Sequence, residues 1–172
     1  MIYLAGPFFN EVQEASAWKL IALCKDHKIE YFAPIEQDSI KIKTPEQAQK
    51  VFDSNTKNIE ECEIILAQLE WLMPEHHELR VVKNIGVQDS VSFLIESPPL
   101  NLPDTGTVFE MGAGFLAGKE IIGYMTKPQE KLNLMLAQSC DGFLKGWSQI
   151  EAYLASGCLK SCTVNRWVGE IQ

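Results

Sequence analysis

The sequence predicts one α/β domain, a parallel sheet covered by helices on both faces. Three observations carry this. Short apolar runs at Met1–Ala5, Ile29–Ala33, Ile64–Ala67 and Glu120–Met125 read as buried strands. Segments with helical spacing lie between them, and such alternation is what crossover connections between parallel strands produce. A length of 172 residues with 46% hydrophobic content suits a single ordinary domain, 1–172.

The first strand stops at Gly6-Pro7, a pair that breaks regular structure. Asn10 with Gln13 three residues on has the spacing of a capping box, so a helix is expected over 11–27, burying Ala15, Trp18, Leu20, Ile21 and Cys24. Pro34 ends the second strand. Thr44-Pro45-Glu46-Gln47 is a stronger helix start: a cap, Pro at the first helical position and Gln at the third. Val51, Phe52, Ile59 and Cys62 would give this helix its buried side. Residues 71–102 carry no clear periodicity and read as an insertion or lid, with a Val-rich piece (91–95) that has strand character. Helices are expected over Thr107–Gly118, 130–138 and 147–156, the last with Trp147, Ile150, Tyr153 and Leu154 on one side; residues 145–172 form the C-terminal helix and tail.

Composition narrows the function. Lys and Arg number 15 against 23 Asp and Glu, a net charge of −8, and no basic run appears. Such a surface repels phosphate backbones, so no nucleic-acid polymer is expected as a partner. No apolar stretch approaches 18 residues, so no membrane partner is expected. The start MIYLAGPFF lacks a basic region and a long apolar core, so no signal peptide is expected. Five scattered cysteines suit reduced thiols, and a cytoplasmic location is the expectation.

In open parallel sheets, ligands bind at the carboxyl ends of the strands. The loops to inspect are therefore Gly6–Asn10, Pro34–Ile40 and Gln68–Gly106. The first is neither a GxxxxGK[ST] nor a GxGxxG phosphate loop. Its adjacent Phe8 and Phe9 either stack on a flat ligand or fold back into the core. In the segment Pro103–Gly114, Glu110 falls in or near a first helical turn, where the dipole favours an ionised carboxylate. An ionised, positioned carboxylate is what a glycosyl-transfer nucleophile needs. The structural alternative is that Asp104 caps the helix and Glu110 decorates its surface. Gly106, Gly112 and Gly114 would let this helix approach the sheet. Asp53 and Asn55 face either the same cleft or solvent. His76-His77 lacks HExxH spacing, and Cys158 and Cys162 form a CxxxC without a partner pair, so no metal site is read.

The residues Ile2–Asn10, Asn55 ahead of the Ile64–Ala67 strand, and the block Asp104-Thr-Gly-Thr-Val-Phe-Glu110-Met-Gly-Ala-Gly together resemble the nucleoside 2-deoxyribosyltransferase family. Lys119–Tyr124 and Leu132–Leu136 look like its later blocks, and the resemblance covers most of residues 1–145. It implies a flavodoxin-like fold and transfer of a 2-deoxyribosyl group between nucleobases through a covalent sugar–glutamate intermediate. By the same resemblance Glu110 is the nucleophile, Asp104 binds the sugar hydroxyls, and Tyr3 orients the nucleophile. Gly6, Phe8 and Phe9 would line the base pocket. Gly106 and Thr107 belong to the block that holds the sugar. The Pro34–Asp38 loop matches a base-recognition segment, with Gln37 and Asp38 both open as the reading residue. Some members carry aspartate where Asn55 stands; asparagine can orient a base but cannot protonate it, so Asp38, Glu36 or water are the candidate proton donors. The resemblance implies no metal and no organic cofactor. It implies partners that are 2′-deoxynucleosides and free nucleobases, and a homo-oligomer whose neighbouring subunit completes the sugar site, with Asn133 or Ser139 reaching across.

Two other readings stand beside transfer. An N-glycosidase would let water resolve the glycosyl-enzyme of a deoxynucleoside or its 5′-monophosphate, although Pro7-Phe8-Phe9 offers no phosphate contact. A non-catalytic nucleoside- or nucleotide-binding module is the third.

Overall fold

The computed structural model describes residues 1–37, 44–70, 103–127, 131–158 and 170–171. The expected insertion at 71–102, with His76-His77, lies outside them, as do Asp38 and Cys162. The elements run β1 (Ile2–Ala5), α1 (Glu11–Asp26), β2 (Tyr31–Phe32), α2 (Pro34–Gln37), α3 (Pro45–Glu61), β3 (Ile64–Gln68), α4 (Thr105–Leu116), β4 (Glu120–Met125), β5 (Lys131–Leu132), α5 (Leu134–Ser139), β6 (Gly142–Lys145), α6 (Trp147–Ala155) and β7 (Glu170–Ile171).

Five strands form one parallel sheet in the order β2-β1-β3-β4-β6. This is the flavodoxin-like arrangement that the resemblance implies. β1 and β3 are buried along their whole lengths, as strands covered on both faces must be. Alternate residues feed two cores. Ile65, Ile121 and Phe143 pack with Ile59, Met111 and Leu136 beneath α3, α4 and α5. Leu66, Ile122 and Leu144 pack with Leu20, Ile21 and Ile150 beneath α1 and α6.

Helix starts follow the sequence closely, with one change of partner. Thr44 Oγ1 accepts from Gln47 N–H at 3.3 Å while Gln47 Oε1 accepts from Thr44 N–H at 3.2 Å, a complete capping box. Asn10 Oδ1 accepts from Val12 and Gln13 N–H, but Gln13 Oε1 accepts from Phe9 N–H at 2.8 Å, one residue before the cap. The first turns of α1 bury Gln13 and Ser16, whereas Ala15 is exposed and Trp18 is 46% exposed. Helical periodicity located the apolar residues of α1 but could not tell that a polar pair takes the inward face. Phe52, expected in the core, is half exposed and meets Phe109 at a ring distance of 6.0 Å.

The helix expected over 130–138 is a short strand followed by a helix: β5 ends at Leu132, and Asn133 caps α5 by accepting from Met135 N–H at 2.9 Å. Strand β6 was not expected. It completes the sheet by pairing with β4 from Ile122↔Gly142 onwards. Of the three glycines in α4, Gly114 is the one that the sheet itself demands: a Cβ there would lie 2.0 Å from Ile65 Cδ1. Gly112 faces open space, so it has no part in helix–sheet approach.

Candidate active site

In a sheet of this order the strand sequence reverses between β1 and β3, and the crevice outside their carboxyl ends is where ligands bind. Two groups of residues meet that crevice, one on each side of the sheet.

On the α4 side, Tyr3 projects from β1 and its hydroxyl donates to Glu110 Oε1 at 2.5 Å. Residues 107 positions apart are thereby joined, so Glu110 is no surface ornament. Phe32 stacks on the Tyr3 ring at 5.4 Å and fixes its plane. Burial, then the neighbouring Glu110 carboxylate, hold the Tyr3 hydroxyl far above its ordinary range, so it stays a donor. Glu110 itself lies beyond the first turn, since α4 starts at Thr105. The dipole argument for an ionised carboxylate therefore fails. Burial pushes the Glu110 carboxyl up to about 7; the Tyr3 bond opposes this rise and the negative Asp104 adds to it. A strongly perturbed carboxyl beside a crevice marks a group poised for chemistry.

Asp104 caps α4, its Oδ2 accepting from Thr107 N–H at 3.0 Å. The capping alternative for Asp104 is thus realised, and its charge nonetheless acts on Glu110. Gly106 makes room for that carboxylate: a Cβ there would sit 2.8 Å from Asp104 Oδ2. Thr107 is buried, and its Oγ1 has no hydrogen-bond partner among the described residues. One bonded carboxylate and one unsatisfied hydroxyl therefore flank the base of α4, next to Glu110.

Asn55 lies on α3, one turn after Phe52 and one turn before the buried Ile59, so it shares their face towards α4. Its Oδ1 is buried and lacks a partner among the described residues. Gln37 is held by the preceding residue of the helix, Ser54, whose Oγ donates to Gln37 Oε1 at 2.8 Å. Asp53 points elsewhere and accepts from Gln49 at 2.7 Å on the exposed side. Glu36 is held by Lys25 and by the Tyr31 hydroxyl, each at 3.1 Å, which ties it to the α1 side. Asn133 is exposed and Ser139 donates to Leu136 O within its own helix, and among the described residues no hydrogen bond joins either to Glu110.

On the α1 side lies a cleft open to solvent, lined by Gly6 and Phe8, by Pro34 and Ile35 and, at its sheet wall, by Gln68 and Tyr124. Phe8 and Phe9 stack on one another at 5.7 Å; Phe8 is half-buried at the cleft while Phe9 is 66% exposed. The two phenylalanines thus divide the alternatives between them. Gln68 and Tyr124 were not foreseen. The signal was present, since Gln68 breaks the apolar run Ile64–Ala67 at the end of a strand buried on both faces. Among the described residues no group of three or more metal-ligating side chains occurs, and no described helix is long and apolar enough to cross a membrane.

Part of the sequence and the fold are similar to known proteins. The family model for nucleoside 2-deoxyribosyltransferase matches residues 2–76, the stretch that holds Tyr3, Gly6, Phe8 and Asn55. A 2-deoxyribosyltransferase from the psychrotolerant bacterium Bacillus psychrosaccharolyticus superposes with a TM-score of 0.67 over 97% of this chain and 98% of its own, at 22% identity. A 2-deoxyribosyltransferase from Leishmania mexicana gives 0.48 over 99% and 81% at 21% identity. A CMP N-glycosidase from Clostridium botulinum gives 0.46 over 90% and 95% at 16% identity. No curated protein matches in sequence. The family resemblance read from the residues is borne out over residues 2–76, which do not include the Asp104–Glu110 block, and the first of these structures shows the shared fold.

Proposed function

From a chain whose residues 2–76 carry the nucleoside 2-deoxyribosyltransferase signature and whose full length carries the fold of one such enzyme, we propose a retaining transferase that moves 2-deoxyribose between nucleobases. The observation that carries this reading is the Tyr3–Glu110 hydrogen bond at 2.5 Å, which aims a desolvated carboxylate across the crevice beside Asp104. The family match and the fold support the coarser class, deoxyribosyltransferase or related N-glycosidase. The geometry at Glu110 supports the particular chemistry.

In this mechanism ionised Glu110 attacks the anomeric carbon of a 2′-deoxynucleoside. The C–N bond breaks, the departing base takes a proton, and a sugar–glutamate ester forms. The transition state has oxocarbenium character, which the adjacent carboxylates stabilise. A nitrogen of the incoming base then attacks the same carbon, loses its proton and releases the Glu110 carboxylate. Two inversions give net retention. Tyr3 holds Glu110 in line, and its hydrogen bond favours the ionised form. Asp104 and the unsatisfied Thr107 hydroxyl receive the sugar hydroxyls. Asn55 orients the base, and the proton reaches the leaving base from water or from Asp38, because Glu36 is occupied on the α1 side.

The test is incubation with 2′-deoxynucleosides, with and without a free acceptor base, followed by chromatography. Exchange that depends on the acceptor is the expected result. Free deoxyribose without exchange would replace transfer with hydrolysis, and no turnover of any deoxynucleoside or its monophosphate would reduce the chain to a binding module.

A further inference from the structure

The α1-side cleft contains a polar group that neither the fold nor the reaction above uses. Gln68 is 1% exposed at the carboxyl end of the central strand β3. Its Oε1 accepts from the Tyr124 hydroxyl at 3.1 Å, across the register pair Gln68↔Tyr124. That bond leaves the amide nitrogen on the other branch, and Nε2 is buried without a partner among the described residues. An orphaned amide of this kind costs free energy unless something fills it. Burial of Tyr124 keeps its hydroxyl protonated and so able to donate to Gln68 Oε1.

The surroundings say what fills it. Ala5 and Ala67 are register partners, so Gly6 and Gln68 are the next residues along the two strands at which the sheet order reverses. Gly6 has no side chain, and a Cβ there would approach Gln68 Cβ and Oε1 to 3.3 Å. Glycine at position 6 therefore keeps a side chain from crowding the Gln68 amide at its oxygen end. Phe8 supplies an aromatic wall and Ile35 an apolar one. A flat ring with a hydrogen-bond acceptor on its edge fits this chemistry.

We propose that Gln68 is a specificity-determining residue, its amide N–H donating to an oxo group of the nucleobase and selecting oxo-bearing bases over amino-bearing ones. This rests on the nucleoside reading above. An amino edge presents a donor to a donor and leaves both unpaired, a mismatch that a buried site rejects strongly. Tyr124 acts as the positioning residue, fixing which end of the amide faces the cleft.

The experiment is calorimetric titration of the full chain with hypoxanthine and with adenine, alongside the exchange assay. The wild-type protein should bind hypoxanthine roughly tenfold or more tightly than adenine. Gln68→Glu replaces the donor with an acceptor and should reverse the order. Gln68→Met keeps the shape without either group and should bring the ratio close to one; should the charged variant not fold, this one decides. Tyr124→Phe frees the amide to turn over and should also shrink the ratio. A ratio that is the same in wild type and Gln68→Met, or a wild type that binds neither base, overturns the proposal. Base discrimination that follows Gln68 in a protein without turnover would sink the transferase reading and leave this one standing; turnover with an unmoved ratio would do the reverse.

Discussion

At the scale of single residues, Glu110 is asked to be both desolvated and ionised, and those demands conflict. Its carboxyl sits at about 7 because burial and Asp104 outweigh the Tyr3 hydrogen bond. The nucleophile must be deprotonated, so kcat/KM should rise with pH along a limb centred near 7. Asp104→Asn removes a like charge and should move that limb to lower pH; Tyr3→Phe removes the bond that favours the carboxylate and should move it higher. pH–rate profiles of the three proteins check both signs, and a limb that stays in place in both variants would detach it from Glu110. Glu110→Ala should reduce exchange by several orders of magnitude while leaving the circular dichroism spectrum unchanged. The same shift has a consequence for folding. A carboxyl raised from its ordinary value near 4.5 is protonated in the native state while the unfolded chain has already ionised, so stability falls as pH rises from about 4.5 through about 7. Glu110→Gln should therefore be more resistant to urea than wild type at pH 8, and no more resistant at pH 4.

At the scale of elements, the packing of α4 decides whether Glu110 reaches Tyr3 at all. Gly114 lets the helix lie against β3, where a Cβ would meet Ile65 Cδ1 at 2.0 Å and Ile121 Cδ1 at 3.3 Å. Gly114→Ala would gain helix propensity but must push α4 off the sheet, and overpacking of this kind costs about 1–3 kcal/mol. Its urea midpoint should fall, and kcat should fall further than stability alone explains, because Glu110 moves with the helix. Gly112→Ala, facing open space, should be neutral or mildly stabilising and serves as the control. The elements also show what could be read beforehand. β3 and β4 announce themselves as apolar runs, and Thr44-Pro45-Glu46-Gln47 encodes a start that the hydrogen bonds then repeat. β6 is four residues long and opens on glycine; its strand character comes from pairing with β4 rather than from local preference. The Asp104–Glu110 block was legible because its residues are close in sequence. The Tyr3–Glu110 contact spans 107 positions, so only resemblance, never spacing, could place Tyr3 there. Gln68 stood out only as a polar residue ending an apolar run, and its bond to a neighbour strand's tyrosine was not legible from spacing.

At the scale of the whole molecule, the described surface of α3, α4 and α5 carries a group of exposed apolar side chains. Phe52, Phe109, Phe115, Leu116 and Met135 are between 50% and 87% exposed on these helices, and all of them ride on the elements that cover the Tyr3–Glu110 side of the sheet. Isolated exposed hydrophobes are ordinary, but a group on adjoining helices marks an interaction surface. A second copy of the chain is the occupant we expect, for Asn133, which the family resemblance assigns to a shared sugar site, is exposed on this side beside Met135. Association brings two bodies of net charge −8 together, so the contact must be apolar and should tighten as salt screens the repulsion. Light scattering after size exclusion should thus give a mass that is a multiple of 19.4 kDa, larger or more persistent at high salt. Phe115→Asp with Leu116→Lys should yield a folded monomer. If the neighbouring subunit completes the sugar site, that monomer loses exchange although Glu110, Asp104 and Tyr3 are intact, and mixing it with Glu110→Ala protein restores none. A monomer with full activity would confine the site to one chain, and a wild-type protein that elutes at 19.4 kDa at every concentration would leave the apolar side without a partner of its own kind.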